Sequence, residues 1–273
     1  MNPALTLLQK QAAFFRKGLL VDSSYRAAFV LRLVGGLLPL TFFFFLQELV
    51  NEQDPRLQKY GGSYFGFVAI GVALTQYFNS ALSACVKEVR NAQMSGVLEA
   101  TFSTTSSPRA VVLHGAVYHF AFAALHFVVV LLAAVALFDL DLSQASWSLF
   151  VVGFTLAVAA FLGLSVLAAA FIVHSKSAEP VQLLLGGVSS FVAGAYFPIS
   201  VLPDWLRGVA ALIPMTHALE VLRAALLTGA SFAEVGRSLA SLALLAALAL
   251  VAGISTLAWA LGRARRDGSL GQY

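Results

Sequence analysis

Long apolar stretches separated by short polar segments dominate the chain. Six of them are long enough to cross a bilayer: roughly 28–49, 62–86, 110–137, 147–173, 181–197 and 238–261. A spanning helix needs about 20 mostly apolar residues. Only helices and closed barrels satisfy their backbone groups in hydrocarbon, and these stretches lack the alternating pattern of barrel strands. The pattern predicts an all-α polytopic membrane protein with a six-helix transmembrane domain over residues 28–261.

The segment 198–229, between the fifth and sixth stretches, is apolar but interrupted. Three prolines and four charged residues fall within it: Pro198, Pro203, Pro214, Asp204, Arg207, Glu220 and Arg223. Prolines break a continuous helix, and charges at mid-bilayer are costly. We therefore predict two short helices, about 203–212 and 215–228, forming an outer re-entrant hairpin. Glu220 and Arg223 are three residues apart, so they are expected to pair on one helical face.

Composition and charge agree with a membrane location. The chain of 273 residues is 59% hydrophobic and 11% charged, whereas soluble domains carry about 25% charged residues. The net charge of +4 does not indicate nucleic acid, because Lys and Arg cluster at the ends of the apolar stretches. Eleven lie on the side of the two termini and five on the other side: Arg56, Lys59, Arg207, Arg223 and Arg237. The richer side is cytoplasmic by the positive-inside rule, which predicts cytoplasmic termini.

The two ends of the chain differ from the spans. Within residues 1–27, apolar side chains recur at spacings of 3, 4, 3 and 4: Leu5, Leu8, Ala12, Phe15 and Leu19. Such a face predicts an amphipathic helix at the cytoplasmic membrane surface, or one packed on a partner protein. Residues 262–273 form a predicted basic cytoplasmic tail.

Motifs for catalysis or nucleotide binding are missing from the sequence. It has no phosphate-binding G-x-x-x-x-G-K-[ST] loop, so we predict that the chain is not an enzyme. No Asp or Glu lies centrally in a span, whereas ion-coupled carriers usually place an ionisable group there. The third span carries His114, His119 and His126. These histidines are predicted to be hydrogen-bonded within the bundle, with a proton relay or metal site as the alternative, because no carboxylate or second Cys beside Cys85 completes a metal shell.

Aromatic and small residues mark a candidate pathway. The set comprises Phe42, Phe45, Tyr64, Phe67, Tyr77, Gly186, Ser190 and Gly194. The aromatic members suit a wall along which an amphipathic substrate slides, or lipid-facing bulk with interface anchoring. The small members recur every four residues, which permits close helix contact.

The predicted cytoplasmic loop 87–109 contains an amphipathic helix. Its apolar stripe comprises Met94, Val97, Leu98 and Phe102, with Arg90 and Glu99 off the stripe. This arrangement suits docking to a partner protein, or contact with lipid headgroups.

Two segments resemble the type-2 ABC exporter permeases, the membrane subunits of bacterial drug, lipid and polysaccharide exporters. Gly96-Val97-Leu98-Glu99 followed by Ser107-Pro108-Arg109 is similar to that family's G-T-L-E…P signature, with Val97 at the usual threonine. Further matches lie in the outer segment: Tyr196-Phe197-Pro198-Ile199, Leu202-Pro203, Trp205-Leu206, Pro214 and Leu219-Glu220-Val221-Leu222-Arg223.

The resemblance implies an exporter subunit in the bacterial cytoplasmic (inner) membrane. Two copies of this permease would work with two copies of a separate ABC ATPase, which would hold the ATP and Mg²⁺; this chain would carry no cofactor. The residues implied in coupling are Arg90, Met94, Gly96, Val97, Leu98, Glu99 and Phe102. Those implied in an outer gate are Tyr196, Phe197, Pro198, Pro203, Trp205, Pro214, Glu220 and Arg223. The substrate class stays open among drugs, lipids and glycans, and the rival functions are a membrane scaffold or signalling subunit and an ion-coupled carrier or channel.

Overall fold

A computed structural model describes residues 11–13, 15–20, 24, 26–50, 55–94, 108–175 and 183–266. Across these ranges the regular structure is helical, with no strand. The α-helices are α1 (Arg26–Val34), α2 (Leu37–Leu46), α3 (Pro55–Gln58), α4 (Tyr64–Met94), α5 (Pro108–Phe138), α6 (Trp147–Ser175), α7 (Ser189–Val192), α8 (Asp204–Ala210), α9 (Pro214–Leu227) and α10 (Gly236–Arg266). Two 3₁₀ turns, Gln47–Leu49 and Ile199–Val201, and one π-helical turn, Leu183–Val188, complete the described elements.

Four helices are long and apolar enough to cross a membrane: Tyr64–Met94, Val112–Phe138, Trp147–Val173 and Gly236–Ala264. They correspond to four of the six predicted spans. Helix α4 is mostly buried and packs on α5 and α6, and α6 packs on α10. Helix α10 is mostly exposed along its apolar length, as expected of a helix whose solvent is lipid.

The first predicted span, 28–49, contains two helices where one continuous helix was expected, and its crossing of the membrane stays a prediction. The helix breaks at Gly35 and Gly36, between α1 and α2. Two glycines in succession weaken a helix. Pro39 has no N–H to donate to the carbonyl of Gly35 and would clash with it, so the helix starts anew at Leu37.

The fifth predicted span, 181–197, is also interrupted in its described part. A π-helical turn leads into α7, which ends in a Schellman motif. The N–H of Gly194 donates to Phe191 O at 3.2 Å, and that of Ala195 donates to Ser190 O at 3.2 Å. Gly194 adopts φ +78°, a conformation that suits glycine, so the helix stops at Val192.

The outer segment contains the two predicted short helices, α8 and α9. They meet at 85°, with Pro203 directly before α8 and Pro214 as the first residue of α9. Proline suits such positions because the first N–H groups of a helix have no intrahelical acceptor. The prediction of two helices is confirmed. Together they are long and apolar enough to form either a broken span or a re-entrant loop.

Candidate functional site

Arg223 is the centre of the outer segment. Its side chain leaves α9 and is buried, with 2% exposure. Its Nε donates to Phe67 O at 3.0 Å, Nη1 to Gly194 O at 2.9 Å and Nη2 to Ala195 O at 2.8 Å. The guanidinium carbon lies 3.4 Å from the centroid of the Phe67 ring, a cation–π contact. One side chain thus joins α9, the first turns of α4 and the turn after α7.

A glycine on α4 makes room for this arrangement. A Cβ atom on Gly71 would lie 1.9 Å from Ala195 O and 2.8 Å from Arg223 Nη2. The 193–197 turn therefore reaches Arg223 only because position 71 has no side chain. Since the Schellman motif leaves the carbonyls of Gly194 and Ala195 unused by the helix, they are available as acceptors.

The expected pairing of Glu220 with Arg223 is wrong. Glu220 Oε1 accepts from Lys59 Nζ at 2.7 Å, and Glu220 Oε2 accepts from the Ser238 hydroxyl at 2.9 Å. Burial is the largest single influence on the pKa of Lys59 and lowers it, but the hydrogen bonds and electrostatic attraction from Glu220 and Tyr60 together outweigh burial, so that pKa lies above its usual value. Arg223, one turn further on, forms no ion pair with any described residue, and backbone carbonyls occupy its donors.

The remaining gate residues lie on or beside α8. Trp205 is 73% exposed, and Arg207 forms an exposed pair with Asp204 at 3.1 Å. Pro198 is extended and precedes the 3₁₀ turn. This half of the outer segment presents apolar side chains outward, in contrast to the buried face of α9.

The candidate pathway residues fall into two groups. Tyr64, Phe67 and Tyr77 are buried in the core, whereas Phe42 and Phe45 are more than half exposed. Of the small residues, Gly186 packs against α4, where a Cβ on it would meet Asn79 Oδ1 at 2.7 Å. The Ser190 hydroxyl donates to Gly186 O.

An apolar cavity of about 590 Å³ lies between α2, α4 and the segment 191–197. The cavity brings together Phe42 and the gate residues Tyr196 and Phe197. The Tyr196 ring stacks on Phe43, with centroids 5.5 Å apart. Residues predicted for the outer gate and for the pathway therefore share one surface.

At the opposite end of α4, a second polar contact joins the helices that flank residues 95–107. Glu88 Oε1 lies 3.1 Å from His119 Nε2 of α5. A Cβ on Gly115 would collide with the Glu88 carboxylate, so this glycine lets the two helices approach. His119 is thus hydrogen-bonded within the bundle, as the sequence suggested.

The N-terminal helix packs on the same end of α5. Gln11 bonds to His114 through both its amide nitrogen and oxygen, and the Phe15 ring meets Tyr118 edge-on. His126, further along α5, is buried, and its Nε2 has no hydrogen-bond partner among the described residues. The described residues hold no cluster of three or more His, Cys, Asp or Glu suited to a metal ion.

Of the predicted coupling residues, Arg90 and Met94 lie exposed near the end of α4, with Met94 80% exposed. The other five, Gly96, Val97, Leu98, Glu99 and Phe102, lie outside the described residues, so their role stays a prediction.

Sequence reasoning missed Gly71, Gly115 and Lys59. Each glycine lies in an apolar helix where glycine is common, so neither signals a contact by itself. Lys59 was counted only as a topological charge, and its 161-residue separation from Glu220 carries no local pattern.

Comparison with known families gives one match. The sequence profile described as ABC-2 family transporter protein matches residues 36–255. No curated protein sequence matches the chain.

Proposed function

This chain belongs to the ABC-2 family of transporter proteins, and we propose that it is the membrane-spanning permease subunit of an ATP-binding-cassette exporter. It moves an amphipathic drug, lipid or glycan-type substrate out of the cytoplasm, driven by a separate ATPase that binds ATP and Mg²⁺. Two copies of the permease and two of the ATPase form the working complex in the bacterial inner membrane.

One observation carries the proposal: α4 is a single, mostly buried helix with a polar anchor at each end. Near its start, Phe67 and Gly71 hold Arg223 and the turn after α7. Near its end, Glu88 joins α5. Packed helices move as rigid bodies between discrete arrangements, so a displacement of the segment that joins α4 to α5 would reach the outer segment through α4. An exporter needs such a link between its ATPase and its outer gate.

The proposed topology has six crossings and cytoplasmic termini, with α8 and α9 entering the outer leaflet without crossing. The charge bias supports it, as does the 85° bend between α8 and α9. Helices α1 and α2 would form one crossing interrupted at Gly35–Gly36. To test the topology, Cys85 is replaced by Ser and single cysteines are placed at Ser107, Asp141 and Asp204. An impermeant thiol reagent added to intact cells should label the last two only; labelling at position 107 would refute the topology.

Coupling is tested by purification. The tagged chain should bring an ABC ATPase out of its native membrane, and proteoliposomes holding both should show ATP-dependent movement of substrate. Glu99→Lys should weaken assembly or uncouple transport, because a basic cleft would meet a reversed charge. The control is Glu48→Lys, an exposed carboxylate in the turn after α2.

Each rival function has its own outcome in that experiment. A scaffold or signalling subunit would co-purify with no ATPase. An ion-coupled carrier or channel would transport in response to an ion gradient without ATP. Either result would replace the exporter as the function of the chain.

A further inference from the structure

The cavity between α2, α4 and the segment 191–197 has apolar walls and two polar side chains. Phe42, Phe43, Phe191 and Tyr196 supply aromatic surface, while Thr75 and Gln76 of α4 supply the polar groups. Its volume of about 590 Å³ falls within the roughly 300–1,000 Å³ of small-molecule sites. We propose that this cavity binds a small uncharged amphiphile from the membrane, with its apolar body against the aromatic walls and its hydrogen-bonding group on Thr75 and Gln76.

The aromatic walls are rigid on one side and open on the other. Tyr196 is stacked on Phe43 and meets Phe191 at 5.4 Å, and its backbone oxygen accepts from Tyr64 at 3.4 Å. Phe42 and Phe191 are 62% and 60% exposed. The described part of the chain therefore leaves the cavity open, and a molecule dissolved in the surrounding lipid can reach it.

The polar end of the cavity is incompletely hydrogen-bonded. The side chain of Thr75 is 6% exposed, and its hydroxyl makes no hydrogen bond of good geometry with any described residue, although the Tyr196 hydroxyl is close enough to interact with it. A helical threonine commonly bonds to the carbonyl four residues earlier, and Thr75 does not. Gln76 makes only a long bond, 3.4 Å, to Gly36 O. A buried hydroxyl without a partner is costly, so a ligand hydroxyl or amide would be held here.

The uncharged lining of the cavity disfavours the binding of ions. None of its lining side chains is charged, and the donors of the nearby buried Arg223 are occupied by three carbonyls. A charged ligand group in this cavity would lose its hydration without compensation. A hydrocarbon chain, in turn, would leave the Thr75 hydroxyl without a hydrogen-bond partner. Both arguments favour an uncharged molecule with one or two hydrogen-bonding groups.

The role of this site in transport rests on the proposed function, but the binding of a ligand to the cavity can be tested without the ATPase. The purified chain in lipid nanodiscs is photolabelled with three probes of one size: a diazirine-bearing naphthyl alcohol, its hydrocarbon analogue and its quaternary-ammonium analogue. Mass spectrometry locates the labels. We expect the alcohol to label the Phe42 and Phe191 walls more strongly than either analogue does.

Two variants sharpen the assay. Thr75→Val keeps the side-chain shape and should lower alcohol labelling roughly fivefold, as expected for one lost hydrogen bond, without changing hydrocarbon labelling. Phe42→Ala should lower labelling by both uncharged probes, and its exposed position makes unfolding an improbable cause. Thr155→Val is the matched control, because the Thr155 hydroxyl bonds to Val151 O on the exposed face of α6.

Three outcomes would overturn the assignment. Equal labelling by alcohol and hydrocarbon, unaffected by Thr75→Val, would make the cavity a site for lipid acyl chains. Strong labelling by the ammonium probe would contradict the charge argument. Disulfide formation between two Phe42→Cys chains, with loss of labelling, would show that a second copy covers the cavity. ATP-driven export without specific labelling would refute the site alone, and specific labelling without export would refute the transport function alone.

Discussion

The two helices of the outer segment are close in sequence, and each carries both charged and apolar residues, yet they pack differently. Helix α9 buries nearly all of its apolar face, including Met215, Leu219 and Leu222, and both of its charges have fixed partners across the bundle. Helix α8 leaves Trp205 73% and nearby Leu212 72% exposed. The two halves of the outer segment therefore differ in packing. Helix α9 is packed into the helix bundle, whereas α8 exposes its apolar side chains to lipid, substrate or a second copy.

The largest effect is expected from removing the anchor of α9. Arg223→Leu would leave the carbonyls of Gly194 and Ala195 without their charge-assisted donor, at a cost of about 3 kcal/mol or more in the free energy of unfolding. Unfolding in mixed micelles of increasing SDS content measures it. Arg207→Leu on α8 is the control, because exposed ion pairs contribute about 0–1 kcal/mol. An equal loss of unfolding free energy in the two variants would contradict the view that α9 is anchored and α8 is not.

A smaller but still clear effect is expected at Gly71. Gly71→Ala places a Cβ against Ala195 O, and such overpacking costs about 1–3 kcal/mol. Gly208→Ala on α8 meets nothing within 4 Å and should be neutral or stabilise the helix by up to about 1 kcal/mol. In the same unfolding assay, a loss of stability for Gly71→Ala and none for Gly208→Ala would support the difference in packing between α9 and α8. A stabilising Gly71→Ala would contradict it.

The Glu220 contact should contribute less, because Lys59 is 63% exposed. Lys59→Gln and Glu220→Gln should each destabilise by about 1 kcal/mol or less. The swap Lys59→Glu with Glu220→Lys should largely restore stability, whereas Glu220→Arg with Arg223→Glu should not, since it places a carboxylate among backbone carbonyls. Because the pKa of Lys59 is raised, this stabilisation, while Glu220 is ionised, is fully present below pH 10.5 and is lost as the pH rises through the raised value.

The smallest effect on stability is expected at Trp205. Trp205→Ala should change the free energy of unfolding by less than about 0.5 kcal/mol, as is usual for exposed positions. If α8 is the moving part of the gate, the same variant should lower export in proteoliposomes while ATPase binding is unchanged. Unaltered export would confine α8 to a passive role.

Much of the fold followed from local patterns. Hydropathy gave the four long helices, because each must bury its backbone groups within itself. Pro203 and Pro214 gave the starts of α8 and α9, because proline acts on its own turn. The same local logic applies at Gly35, Gly36 and Pro39, where the apolar stretch predicted one helix and the structure has two.

The sequence by itself determined that this is a helical membrane protein, where most of its helices run and which family it resembles. Only the tertiary structure decided the partners of its charges. Arg223 bonds to carbonyls 28, 29 and 156 residues away, and the one charge close to it in sequence, Glu220, bonds elsewhere. Hydropathy and helix breaks are properties of a few neighbouring residues, whereas a buried charge takes whichever acceptors the packed helices bring to it.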